Sequence, residues 1–330
     1  MKPCIFLSFL LFFASTCFSK TESIETQGAL KNTQEIEQLL RHYLKPKAVL
    51  NSSYDEFKFA SYQGALFNLY SGHTNFNGIG AENLRLGNFY WGLNLYNITT
   101  NTDSNSRITN ALSQNHGSIE DNGVYFHVLK QITSLVFLDV FANFGRDRFR
   151  LINTVTIDGN TPLTGYAKYY GNDNTVGVRT FLGQTYKLFY LQGDLTFLYS
   201  NFNQPDYILT FPDQPVGVPA LTTKIGTLVE HARLYYQVNE HFSPFLNGGL
   251  IQLTSRSFSR PVLGPDFVTI APLPQLLLAK NGYSYGIGFD YLYKLIRITP
   301  VYAHTVRGNS FSDDYVGVKL ELKGTSEFVI

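Results

Sequence analysis

Apolar residues that alternate with polar or small ones, over runs too long for most soluble strands, restrict this chain more than any other feature. From Asn88 to Tyr96, Phe89, Trp91, Leu93 and Leu95 form one set, while Asn88, Tyr90, Gly92, Asn94 and Tyr96 form the other. A period of two sends successive side chains to opposite faces of an extended strand, and no helix shares it. The same pattern returns in Val124-Phe126-Val128, in Val136 to Phe144, and in Val176 to Leu182. It recurs in Phe189 to Phe197, Tyr283 to Tyr291 and Val316 to Leu322.

Less regular candidates lie around residues 57–70, 223–238, 243–254, 265–278 and 294–304, which brings the total to about twelve strands. Glu230 interrupts one face of the second of these, Gly248-Gly249 blur the third, and Pro272 and Pro274 break the fourth. The spacing predicts polar turns and loops at Asn101 to Asn115, Asp158 to Thr161, Gly171 to Asn174 and Pro205 to Pro219. Beyond Ser52 no apolar run reaches the length of a membrane-spanning helix, about 18 residues or more.

The first 19 residues differ from all that follows. Lys2, an apolar core from Ile5 to Phe13, and small residues at Cys17 and Ser19 form a secretory signal peptide over 1–19. Both cysteines, Cys4 and Cys17, fall inside it, so the expected mature chain has neither disulfide nor thiolate chemistry. Removing Lys2 leaves 26 − 1 = 25 basic against 25 acidic residues, and such a balance gives no basic field for nucleic acid. Residues 20–52 form a polar leader. Within it Ile36, Leu39, Leu40 and Tyr43 recur at helical spacing before Lys45-Pro46, predicting a short amphipathic helix over 33–44, either resting on the main domain or plugging a pore. The main domain is expected over 53–330.

One-faced strands suit both a soluble sandwich and a membrane barrel. Strand candidates of nine or more residues, a Gly-rich polar face with isolated charges, and Tyr and Phe at strand ends favour the barrel. The fold class expected is therefore all-β: an antiparallel transmembrane barrel of about twelve strands. Hydrocarbon leaves no partner for an open sheet edge, so such a sheet must close. Its lumen-facing candidates are Asp139, Asn143, Arg179, Gln192, Asp194, Asp290, Arg297, Lys319 and Glu321. Mutual neutralisation across neighbouring strands is their expected role, with tuning of a pore as the alternative.

Three segments resemble the translocator β-domain of autotransporters. They are Ala81-Glu82-Asn83-Leu84-Arg85-Leu86-Gly87-Asn88 leading into a Gly-containing strand, Gly123 to Arg146 as a hairpin ending Phe144-Gly145-Arg146, and Phe189 to Asn201 as a tyrosine-containing strand. The likeness covers roughly residues 53–324. It implies a twelve-stranded outer-membrane barrel, with an N-terminal helix in its lumen, that in the family helps a passenger reach the cell surface. Only about 30 residues separate the signal peptide from the first expected strand, too few for a passenger domain of ordinary size. The family also ends on an aromatic assembly signal, whereas Phe328 here is followed by Val329 and Ile330.

The sequence carries no catalytic or metal motif, and no cofactor is expected. Its histidines lack metal-binding spacing, and Glu230-His231 would point to opposite faces of a strand. A hydrolase would have to assemble Ser200, His231 and Asn201 without a local signature. The expectation is an autotransporter-like scaffold in the bacterial outer membrane, reached through the periplasm, with surface loops and no passenger. Its expected partners are outer-membrane lipid and the barrel-insertion machinery, with no nucleic acid. A small-solute pore, a barrel-embedded lipid hydrolase and a soluble secreted β-sandwich remain open as alternatives.

Overall fold

The computed structural model describes residues 44–63, 66–108, 111–133, 136–157, 161–212, 214–258, 279–308 and 311–324. The expected signal peptide, the expected helix as far as residue 43, the 265–278 strand and the terminal Phe328 lie outside the described residues, and Leu44 is in a turn. Fourteen strands occur along them. They are β1 (Lys47–Gln63), β2 (Leu66–Leu86), β3 (Phe89–Ile108), β4 (Ala111–Gln131), β5 (Val136–Ile157), β6 (Leu163–Tyr186) and β7 (Phe189–Gln204). There follow β8 (Tyr207–Thr210), β9 (Pro215–Val218), β10 (Leu221–Tyr236), β11 (Phe242–Phe258), β12 (Asn281–Tyr293), β13 (Ile296–Arg307) and β14 (Phe311–Lys323).

Twelve of these form the wall, each antiparallel to its neighbours, and the short β8–β9 pair is a separate hairpin beside β6. The ring closes because β1 pairs with β14, from Lys47 opposite Lys323 to Phe59 opposite Phe311. No wall strand is left as an edge, so its backbone donors and acceptors face a partner on each side. Among the described residues no helix is long and apolar enough to cross a membrane.

One rim carries tight connections. Gly87-Asn88, Lys187-Leu188 and Lys294-Leu295 each join two strands, and Gly87, Lys187 and Lys294 all have φ between 54° and 58°. Glycine reaches that left-handed region without a Cβ penalty, while the two lysines accept a cost there. Both ends of the barrel domain, Lys47 and Lys323, lie at this rim. Longer connections belong to the other rim, including the segment with β8–β9.

Strands run well past the apolar belt, and here the structure corrects the sequence reading. The expected loop at 101–115 is the far end of β3 and the start of β4, paired from Asn101 opposite Ser118 to Ile108 opposite Ala111. The expected turn at Gly171 to Asn174 lies inside β6, with Gly171 opposite Asp147. Both stretches are polar on both faces, so the dyad signal vanishes while the backbone ladder continues. At the other end β1 starts at Lys47, inside the segment read as leader.

The outer face is apolar along a belt. One cross-strand row joins Ile298, Leu320, Leu50, Ile79, Leu95, Val124 and Phe144 across seven strands. Ile79, Leu95 and Phe144 remain 59%, 55% and 56% exposed although each packs beside other apolar residues. Beyond Phe144 the outer face of β5 turns basic at Arg146, Arg148 and Arg150. Aromatic rings edge the belt near the tight-turn rim, where Lys130, Lys187 and Lys294 lie over Phe89, Tyr186 and Tyr293 at 5.2, 5.4 and 5.3 Å.

Candidate functional site: the charged interior

The interior face is the alternate set, and charge collects on it in separate groups. Near the tight-turn rim, Lys47 on β1 donates to Glu321 Oε1 on β14 at 2.6 Å and lies 3.4 Å from Glu82 on β2. Lys319 reaches Glu82 at 3.3 Å and Glu321 at 3.0 Å, while Arg297 on β13 approaches Glu321 at 3.5 Å. Three cations thus share two carboxylates. An irregularity in β2 between Ala81 and Leu84 makes this geometry, since Asn83 takes φ 60° and the strand carries Glu82 beside Lys47. Asparagine tolerates that conformation better than most residues.

A second group crosses β4 to β6. Asp139, with no exposed surface, accepts from Arg179 Nη2 at 2.5 Å and lies 3.0 Å from His127 Nδ1. Asp139 and Arg179 are direct cross-strand neighbours, so the closed register alone brings them together. On β7, Asp194 faces His231 of β10, with Nδ1 3.2 Å from Oδ2. Thr299 donates to Asp290 at 2.7 Å. Asn143 lies on β5 between Tyr125 and Thr175, and Gln192 on β7 between Gly183 and Arg233.

Asp139 and Arg179 therefore meet directly, as do Arg297, Lys319 and Glu321, whereas Asn143, Gln192, Asp194 and Asp290 stand outside both groups. Sequence reasoning missed Lys47, Glu82 and His127 as partners of these residues. Lys47 was assigned to the leader, and Glu82 sits at a strand irregularity that breaks the alternation. His127 was legible, because it shares parity with Tyr125.

A third group lies farther toward the loop rim. Asp121, Asp147 and Asp173 come from β4, β5 and β6, and one carboxylate oxygen of each lies within 4.8 Å of the others. Asp121 and Asp147 are direct cross-strand partners. They too share the inward parity of Asp139, but sit where the outer face has already become polar.

The residues of the hydrolase alternative do not assemble. Ser200 pairs opposite Ile225 and His231 opposite Asp194, six positions apart along the β7–β10 ladder, or roughly 20 Å at the usual rise. The Ser200 hydroxyl lies 2.8 Å from Thr175 Oγ1, and Asn201, next in the strand, faces the opposite side. Glu230 and His231 likewise point apart, which leaves Glu230 on the outer face between Leu195 and Leu250.

On the β8–β9 hairpin, Tyr207 stacks on Tyr169 with ring centres 4.0 Å apart. Burial raises the Tyr207 hydroxyl above its ordinary pKa.

No family model matches the sequence, and no curated protein matches it. Solved structures do. The translocator domain of autotransporter NalP from Neisseria meningitidis superposes with a TM-score of 0.60 at 12% identity, over 91% of this chain and 98% of that one. The fold is that of an autotransporter translocator domain. The β domain of the Bordetella autotransporter BrkA gives 0.54 at 11% identity, over 84% and 99% of the two chains. The transport unit of AIDA-I from Escherichia coli gives 0.53 at 12% identity, over 92% and 100%. At such identities the likeness is one of fold alone.

Proposed function

We propose that the protein is an outer-membrane β-barrel, an autotransporter-like scaffold that presents its longer connections at the cell exterior. The observation that carries this reading is the continuous apolar belt around a closed ring. Soluble proteins rarely expose contiguous apolar patches larger than a few hundred Å², yet here the row from Ile298 to Phe144 alone crosses seven strands. Placed in a bilayer, those side chains meet acyl tails, and closure satisfies the backbone that hydrocarbon cannot. The aromatic residues at the belt's edge suit an interfacial girdle, and the tight-turn rim with both barrel termini suits the periplasmic side. Export through the periplasm and assembly by the barrel-insertion machinery belong to this proposal.

Cell fractionation followed by gel electrophoresis with and without boiling tests it. The expected result is recovery from the outer-membrane fraction in detergent and a faster, compact band in the unboiled sample. Recovery from aqueous supernatant with a single band at both temperatures would overturn the proposal and make the belt a surface that another protein covers.

A further inference from the structure

Asp121, Asp147 and Asp173 gather three interior carboxylates in one place with no cation among them. Two carboxylates directly opposite one another on antiparallel strands repel. Here Asp121 faces Asp147, and both are buried, at 6% and 5% exposure. The charged groups acting on Asp147 are Asp121 and Asp173. Asp121 Oδ1, Asp147 Oδ2 and Asp173 Oδ1 are sequestered from solvent without a hydrogen-bond partner among the described residues.

The space they surround belongs to Gly145. A Cβ at that position would collide with Asp173 Oδ1, stand 2.5 Å from Asp121 Oδ1, and stand 2.8 Å from the hydroxyl of Tyr96. Tyr96 is the independent observation. It comes from a fourth strand, is 8% exposed, and aims its hydroxyl into this space beside Asp121 and Asn143, with no well-aligned hydrogen bond to either. Asn143 Oδ1, one inward position from Gly145 on β5, is also buried and faces the same hydroxyl. Buried oxygen acceptors converge where the protein supplies no compensating charge.

From this geometry we infer a binding site for a hard divalent cation, with Ca²⁺ as the best fit, in the barrel wall between β4, β5 and β6. The donors are all oxygen, the set that Ca²⁺ and Mg²⁺ prefer and that softer transition metals do not require. Oxygens about 2.3–2.6 Å from one Ca²⁺ span at most about 5 Å, whereas Mg²⁺ at about 2.0–2.1 Å spans only about 4 Å. The three carboxylate oxygens lie within 4.8 Å of one another, inside the span that the larger ion allows. Three carboxylates supply charge, Tyr96 and Asn143 supply neutral oxygens, and water completes the six to eight ligands that Ca²⁺ takes. Bound there, the ion ties three adjacent strands together just past the outer apolar belt.

Terbium luminescence on the full chain, refolded in detergent after treatment with a chelator, tests the inference. Excitation through Tyr96 should sensitise bound Tb³⁺, and Ca²⁺ should displace it at lower concentration than Mg²⁺. Asp147→Asn should weaken Ca²⁺ binding at least about tenfold, the scale reported for loss of groups supporting a metal. Tyr96→Phe removes the sensitiser, so its Ca²⁺ binding is read by calorimetry and should be weaker while all three carboxylates remain. The unboiled-band shift establishes that each variant has folded. Absence of Tb³⁺ luminescence in the wild-type barrel overturns the inference, as does a Ca²⁺ affinity unchanged by Asp147→Asn. Preference for Mg²⁺ overturns the assignment to calcium.

Discussion

Two clusters on the same interior face solve the problem of buried charge in opposite ways. At the tight-turn rim, Glu321 and Glu82 are shared among Lys47, Lys319 and Arg297, so each carboxylate meets more than one cation. Nearer the loops, Asp121, Asp147 and Asp173 meet one another and no cation. Both sit on the same closed ladder and obey the same two-residue alternation. The difference is therefore a matter of which residue types the register places side by side, and it marks the rim cluster as self-sufficient and the upper one as built for something added.

Breaking the compensated cluster should have the largest effect. Glu321→Ala leaves Lys47, Lys319 and Arg297 crowded around a missing carboxylate, and removal of one partner from a buried ion pair costs about 3–5 kcal/mol. Guanidinium unfolding in micelles should show that loss. A change of less than about 1 kcal/mol would mean that water already separates these charges.

Leu93→Arg probes the opposite face of the wall, where Leu93 stands between Ala81 and Phe126 in the apolar belt. In a lipid bilayer the substitution should cost about 2–4 kcal/mol, the value for a cation near mid-depth. The same change in an aqueous surface would be almost neutral, so unfolding measured in vesicles separates the two settings.

Asp139→Asn should be milder, at about 1.5–3 kcal/mol, because it weakens the charged hydrogen bonds from Arg179 and His127 while leaving a polar group in place. The smallest effect belongs to the uncompensated cluster. In chelator, Asp147→Asn should leave stability unchanged or raise it by up to about 1 kcal/mol, since it removes a repulsion. A loss comparable to that of Glu321→Ala would erase the contrast between the clusters.

Much of the wall was legible before any coordinates. Phe89, Trp91, Leu93 and Leu95 announce one face of β3, and strict parity carries Asp139, Asn143 and Gly145 to the other face of β5. Glu230 was visible as a break in an apolar set, and the ladder places it on the outer face between two leucines. What escaped the sequence reading lies where alternation fades. Asn101 to Asn115 and Gly171 to Asn174 looked like loops because both faces are polar there, although hydrogen bonding continues through them. Asp121, Asp147 and Asp173 were passed over for the same reason.

Composition and periodicity by themselves determined the all-β class, the two faces of each strand and the near absence of net charge. Those properties depend on neighbours within one strand, whose spacing is set by the chain's own geometry. Only the tertiary structure decided which charges meet. Lys47 and Glu321 stand 274 residues apart in the chain, and their contact exists because β1 closes on β14 in one register. A slip of one residue would turn either side chain to the opposite face. The interior chemistry is thus a property of closure, which no single strand contains.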